Sequence, residues 1–213
     1  MGITKKIFDD LKNAGVNIVT MGNHTWGKRD IFTFLNDEQI IRPANYPKGV
    51  PGVGYRIHEV NGKQVAVINL IGRVVTVVLA ENPFLKADDI IERIKDKADI
   101  IIIDFHAEAT AEKIAMGYYL DGKVSCVFGT HTHVQTADEK ILEKGTAYIT
   151  DIGMTGPEKS VIGMDVAASI KRFVTTLPER YKVSDDTNIT LTGCVLEIND
   201  ENCRIEKINR IKL

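Results

Sequence analysis

Apolar positions recur at helical spacing over Ile3–Asn13, where Ile3, Ile7, Phe8 and Leu11 share a face and Gly15 supplies a stop. Val16–Met21 then reads as a short strand that closes on a Gly-Asn-His turn, and Lys28–Leu35 predicts a further helix. Pro43, Pro47, Pro51 and three glycines make Arg42–Gly54 a loop. Tyr55–Val60 and Gln64–Leu70 flank Asn61-Gly62, a strong hairpin signal. Lys86–Lys97 is amphipathic at helical period, Ile100–Asp104 opens on a run of isoleucines typical of a buried strand, and Ala109–Tyr119 returns to helical spacing. Val124–Phe128 and Ala147–Asp151 read as short buried strands, and Ile189–Ile198 with Arg204–Lys212 as a terminal antiparallel hairpin. Helices alternating with buried strands, followed by hairpins, predict an α/β or α+β layered fold of mixed sheets, with residues 1–213 forming a single domain.

Composition narrows the function classes only slightly. The net charge of −2 gives no bulk electrostatic reason to bind nucleic acid directly. No apolar run reaches the length of a membrane span, and the first residues lack the apolar region of a signal peptide. The expectation is a cytoplasmic protein with no membrane partner. Three cysteines agree with a reducing compartment: Cys126 reads as a small core residue, and a turn at Asn199–Asn202 would set Cys203 opposite Ile198 rather than Cys194, so no disulfide is expected.

The histidines change the picture. The chain has five, and four of them (His24, His106, His131 and His133) follow apolar runs at predicted strand ends. Gly129-Thr130-His131-Thr132-His133 places two imidazoles two residues apart, which on a strand would point the same way. Neutral imidazoles with an Asn carboxamide suit Mn²⁺, Fe²⁺, Zn²⁺ or Co²⁺, so Asn23, His106, His131 and His133 are the candidate metal ligands. His24, beside Asn23 but pointing elsewhere, suits transition-state contact or proton donation to a leaving oxygen. Read singly, Asn23 is ordinary turn chemistry and His106 an ordinary core histidine; the shared placement at strand ends is what makes a site. Asp104 and Asp151 are expected to orient histidine N–H groups, and Glu108 to approach through the loop after His106. His58 reads as surface, and Trp26 as a pocket wall or a packing residue, with packing favoured.

Gly22-Asn23-His24, a separate strand-end histidine and Gly129–His133 resemble the calcineurin-like metallophosphoesterases. The likeness is greatest to the YmdB-type phosphodiesterases, through residues 21–26, 42–47, 82–88, 104–110, 129–137 and 150–157. The resemblance implies a four-layer α/β/β/α sandwich with two divalent transition metals, Fe or Mn, with Zn as an alternative. It also implies a cyclic nucleotide substrate of the 2′,3′ or 3′,5′ form. Asn23, His106 and His131 would hold one ion, His133 would help to hold the other, and His24 would contact the scissile phosphate. The family's Gly-Asp and Gly-Glu-Asn motifs, which supply an aspartate ligand and a bridging glutamate, are not in this sequence, so an N-terminally shortened version of the family domain is expected, with one ion or none as the alternative. Three function classes stand side by side: a metal-dependent phosphodiesterase; a non-catalytic binding or regulatory module, with a homo-oligomer as one outcome; and a metal-dependent amidohydrolase, which usually carries its H-x-H on an early strand.

Overall fold

The computed structural model describes residues 2–75 and 79–213. Its elements in chain order are α1 (Lys5–Asn13), β1 (Val19–Thr20), a 3-10 turn (Arg29–Thr33), β2 (Ile40–Ile41), β3 (Tyr55–Val60), β4 (Lys63–Ile71), α2 (Pro83–Ile94), β5 (Ile100–His106) and α3 (Thr110–Tyr119). There follow β6 (Cys126–Thr130), β7 (Lys140–Ile141), β8 (Ala147–Ile149), β9 (Thr155–Pro157), α4 (Val166–Thr175), β10 (Ile189–Ile198) and β11 (Ile205–Lys212).

A mixed six-stranded sheet in the order β3-β4-β5-β6-β8-β7 forms the centre. β4, β5, β6 and β8 run parallel, and β3 and β7 pair antiparallel to their neighbours. Strands buried on both faces read as continuous apolar runs, which accounts for Ile100–Ile103. Ala66, Ile68, Leu70, Ile101, Ile103 and Phe105 face α2 and α3, which answer with Ala87, Ile90, Ile94 and Met116. On the opposite face Cys126, Ala147 and Ile149 pack with Ile205 and Ile208 of a second sheet, in the order β11-β10-β9. The product is the layered mixed α/β sandwich that the sequence predicts.

A third cluster of Phe8, Ile31, Phe34, Leu35 and Ile40 joins α1 to the two-stranded parallel sheet β1-β2, with Phe8 and Phe34 stacked at 5.1 Å. The 42–54 loop ties this cluster to the main sheet. Buried Arg42 donates to the carbonyls of Pro43, Pro51 and Gly52, and Asn45 both donates to Ile71 O and accepts from Ile71 N–H.

Several elements depart from the sequence reading. The Lys28–Leu35 helix is only a 3-10 turn, and β1 keeps two residues because its partner β2 offers only two. α2 starts three residues early, where the Asn82 side chain caps Phe84 N–H and Pro83 fills the first turn. Cys203 is not opposite Ile198: Ile198 pairs with Ile205 across a bulge, and Cys203, at φ 57°, sits inside the turn with its N–H on Asn199 O. All three cysteines are free, as expected. Among the described residues no helix is long and apolar enough to cross a membrane.

Candidate metal and phosphate site

The central strands end on one rim, and register decides which side chains meet there. His106, the last residue of β5, lies between Ile71 of β4 and Thr130 of β6. The β1 strand ends one residue before Met21-Gly22, and the Gly22 backbone packs against the His106 ring; a Cβ on Gly22 would lie 2.5 Å from Nε2. Glycine at position 22 is what allows Asn23 to reach His106. Gly129 plays a similar part, since a Cβ there would meet Thr150 O at 1.8 Å.

Three side chains converge. Asn23 Oδ1 lies 3.0 Å from His106 Nε2, and His131 Nδ1 lies 3.0 Å from the same nitrogen. The surrounding network fixes the protons. Thr130 Oγ1 donates to Asp104 Oδ1 at 2.8 Å, so its hydrogen is committed, and His106 Nδ1–H donates to Thr130 Oγ1 at 3.0 Å. That leaves His106 Nε2 unprotonated. His131 Nε2 donates to Glu108 Oε2 at 2.9 Å, and in the neutral ring this leaves His131 Nδ1 unprotonated as well. Three acceptor lone pairs thus face one another with no proton between them, an arrangement that repels itself unless a cation joins it. Donors at right angles around one ion, each about 2.1 Å from it, sit about 3.0 Å apart. The chemistry and the spacing of the donors fit a divalent transition metal.

The other two predicted residues stand apart from this trio. His133 Nδ1 meets Ile162 O at 3.1 Å; a carbonyl only accepts, so Nδ1 carries the hydrogen and Nε2 presents a lone pair, the tautomer common in metal-ligating histidines. His24 is exposed, and its pKa lies below the usual histidine range, first through partial burial and then through neighbours that include His131 and His133. The structure therefore brings Asn23, His106 and His131 together, with His24 and His133 beside them. Among the described residues no three His, Cys, Asp or Glu side chains form a metal-sized group by themselves; the carboxamide of Asn23 completes the set.

The period-2 argument for the paired histidines does not hold. β6 stops at Thr130, and His131 and His133 follow it at φ 107° and 66°. Backbone in that region is costly for non-glycine residues and collects at functional sites. Asp151 is what holds it. Its carboxylate accepts from Thr132 N–H at 3.1 Å, Thr132 Oγ1 at 2.8 Å and Gly153 N–H at 2.9 Å, and pairs with Lys113 Nζ at 2.7 Å. Asp151 thus shapes the turn and does not touch a histidine ring, contrary to the expectation; Asp104 reaches His106 only through Thr130. Glu108 arrives as expected. Lys113, buried on α3, escapes the sequence reading, because a lone lysine in a helical pattern reads as a solvated face. His58 is half-buried, its Nε2 donating to Glu38 O at 3.2 Å.

Burial pushes the pKa of Asp104 up to about 6, and burial, then the neighbouring His131, pushes that of His106 down to about 3. Their effects on stability oppose each other. Between pH ~4 and 6 folded Asp104 keeps a proton that the unfolded chain has lost, so this group makes stability fall as pH rises. Over pH ~3 to 6.5 the unfolded chain holds a proton on His106 that the folded chain lacks, so this group makes stability rise with pH. Urea midpoints of the metal-free wild type should therefore be nearly flat from pH ~4 to 6, those of Asp104→Asn should rise, and those of His106→Gln should fall. Parallel profiles in all three would show that the two groups are not shifted in this way.

The class that this fold and rim define is the metallophosphoesterase-type phosphatase, a layered α/β sandwich with Gly-Asn-His and Gly-Thr-His-Thr-His turns beside each other. The chain belongs to the YmdB-like protein family, whose profile matches residues 1–211. It is 52% identical over 211 residues to the 2′,3′-cyclic-nucleotide 2′-phosphodiesterase of Bacillus subtilis (strain 168), covering 99% of this chain and 79% of that protein. A crystal structure of a novel phosphatase from Mycoplasma pneumoniae superposes with a TM-score of 0.92 at 38% identity, over 100% of this chain and 77% of the other. A hypothetical protein from Thermus thermophilus gives a TM-score of 0.93 at 37% identity, over 100% and 82%.

Proposed function

We propose that the chain is a metal-dependent phosphodiesterase acting on cyclic nucleotides, with the 2′,3′-cyclic form as its first substrate and the 3′,5′ form as the alternative. The observation that carries this reading is the convergence of three unprotonated donors, Asn23 Oδ1, His106 Nε2 and His131 Nδ1. The 52% identity to a phosphodiesterase supports the choice of substrate.

Asn23, His106 and His131 would hold one divalent ion, and His133 Nε2 is the proposed protein ligand of a second. Bound there, such ions supply Lewis acidity toward a phosphoryl oxygen and a more acidic water. The chain's own residues do the rest. Glu108 and the Thr130–Asp104 pair hold His131 and His106 in the tautomers that present lone pairs. His24, exposed at the rim, meets the phosphodiester anion, which draws a proton onto its imidazole. Because partial burial lowers its pKa, His24 releases that proton readily to the departing ribose oxygen. Hydrolysis then leaves a ribonucleoside monophosphate.

A module with a single ion and little or no turnover is the second reading. It is favoured by the absence of a hydrogen bond from His133, whose Nδ1 meets Ile162 O, to the other three ligands and by the lack of a carboxylate in the donor set among the described residues. Hydrolysis of 2′,3′-cyclic AMP by metal-stripped chain resupplied with Mn²⁺ separates the two. Turnover that returns with metal supports the phosphodiesterase; metal uptake without turnover supports the module.

A further inference from the structure

We propose that the open face of Phe32, seated on Trp26, forms the wall against which the nucleobase of the substrate stacks; the proposal rests on the phosphodiesterase reading and adds to it the group that selects nucleotides. The turn that presents Asn23 and His24 also delivers Trp26: Thr25 N–H donates to Gly22 O at 3.0 Å, and Gly27 N–H to His24 O at 2.9 Å. The indole stacks on Phe32 at 5.5 Å and 10° and on Tyr46 at 5.9 Å and 29°. Tyr46 in turn donates its hydroxyl to Gly22 O at 3.0 Å, and the Gly22 backbone lies against the His106 ring. A ladder of three aromatic rings therefore starts behind a metal ligand and runs outward along the rim.

Exposure rises along that ladder. Tyr46 is 4% exposed, Trp26 37% and Phe32 55%. The same short segment can bury an aromatic ring where packing alone requires it: Phe34, two residues after Phe32, is 4% exposed and stacks on Phe8 in the core. Trp26 is held between Phe32 and the hydrogen-bonded Tyr46, so Phe32 is the ring left with a face open to solvent. Exposed aromatic rings beside a phosphate-handling site suit a planar heteroaromatic base, since every base offers a π-face and stacking tolerates all four. The surface selects for a base without hydrogen-bonding its edge, so discrimination among bases should be weak.

The test compares 2′,3′-cyclic AMP with methyl ribofuranoside 2,3-cyclic phosphate, the same ring phosphate with no base. Wild type should prefer the nucleotide in kcat/KM, and Trp26→Ala and Phe32→Ala should each cut that preference on the order of tenfold or more, through KM for the nucleotide. Trp26→Tyr, which keeps an aromatic face, should retain most of it. Trp26 is the sole tryptophan, so binding can also be read without turnover: 3′-AMP should quench the emission of the Zn²⁺-loaded protein, and inorganic phosphate should not. An unchanged preference in both alanine variants would overturn the proposal, as would an equal loss on both substrates, which marks a purely structural ladder. Equal quenching by phosphate and by 3′-AMP would also count against it. If wild type hydrolyses neither substrate while 3′-AMP still quenches, the phosphodiesterase reading fails and base stacking stands.

Discussion

His24→Ala should lower kcat for a phosphodiester substrate by ~10²–10⁴ while leaving the metal content of the protein nearly unchanged. The two halves of that expectation come from separate observations. His24 is adjacent to Asn23 in sequence, yet it is absent from the set of atoms at 3.0 Å spacing, so removing its ring would take nothing from an ion bound by the proposed ligands Asn23, His106 and His131. It is exposed at the rim, where a substrate phosphate can reach it, and burial with its histidine neighbours keeps its pKa below the usual range. A group in that position contributes by charge and by proton donation in the transition state, so the loss should fall on kcat more than on KM. Steady-state kinetics with metal analysis of the same preparation reads both halves. A variant with full kcat would remove His24 from the mechanism, and one that had lost its metal would make His24 a ligand instead.

Lys113→Met should cost about 3–5 kcal/mol of stability, the range for breaking one side of a buried ion pair. The side chains of Lys113 and Asp151 are 2% and 0% exposed and meet at 2.7 Å. Methionine replaces the aliphatic stem but leaves the Asp151 carboxylate buried without its cation. The damage should also reach the site, since the same carboxylate carries the Thr132 N–H and hydroxyl that hold His131 and His133 at positive φ. The double variant Lys113→Met/Asp151→Asn removes the orphaned charge and should recover part of the stability, though not the turn. Urea unfolding measures the cost; a loss under ~1 kcal/mol would show that the pair contributes little beyond a hydrophobic pair of the same size.

How much of the fold and site is legible in the sequence follows from how local each signal is. The hairpin at Asn61-Gly62 is readable because two residues decide it, and both adopt the positive φ that a tight turn needs, 51° and 77°. The buried strands are readable because isoleucine runs have few other uses. Asn23, His106, His131 and Glu108 are readable as a group because each ends or closely follows a strand of a parallel pair, and parallel strands deliver their ends to one rim. The turn after β6 is not: alternation holds only inside a strand, and β6 ends at Thr130 under the pull of Asp151 on Thr132. Asp151 and Lys113 are 38 residues apart, and their pairing depends on α3 lying across the sheet, which no local pattern encodes. β7 and β9 escape the sequence reading for a related reason: they are two- or three-residue strands defined by their neighbours. α4 escapes it although Asp165 caps it and Val166, Ile170, Phe173 and Val174 recur at helical spacing; that stripe buries no residue.

The most direct test of three lone pairs facing one another without a proton is a Mn²⁺ titration of metal-stripped chain, read as turnover of 2′,3′-cyclic AMP. The stripped protein should be inactive, activity should return saturably as Mn²⁺ is added, and His131→Ala should need far more metal to reach a lower plateau. Turnover that persists after stripping, or that responds to Mn²⁺ identically in wild type and His131→Ala, would contradict it.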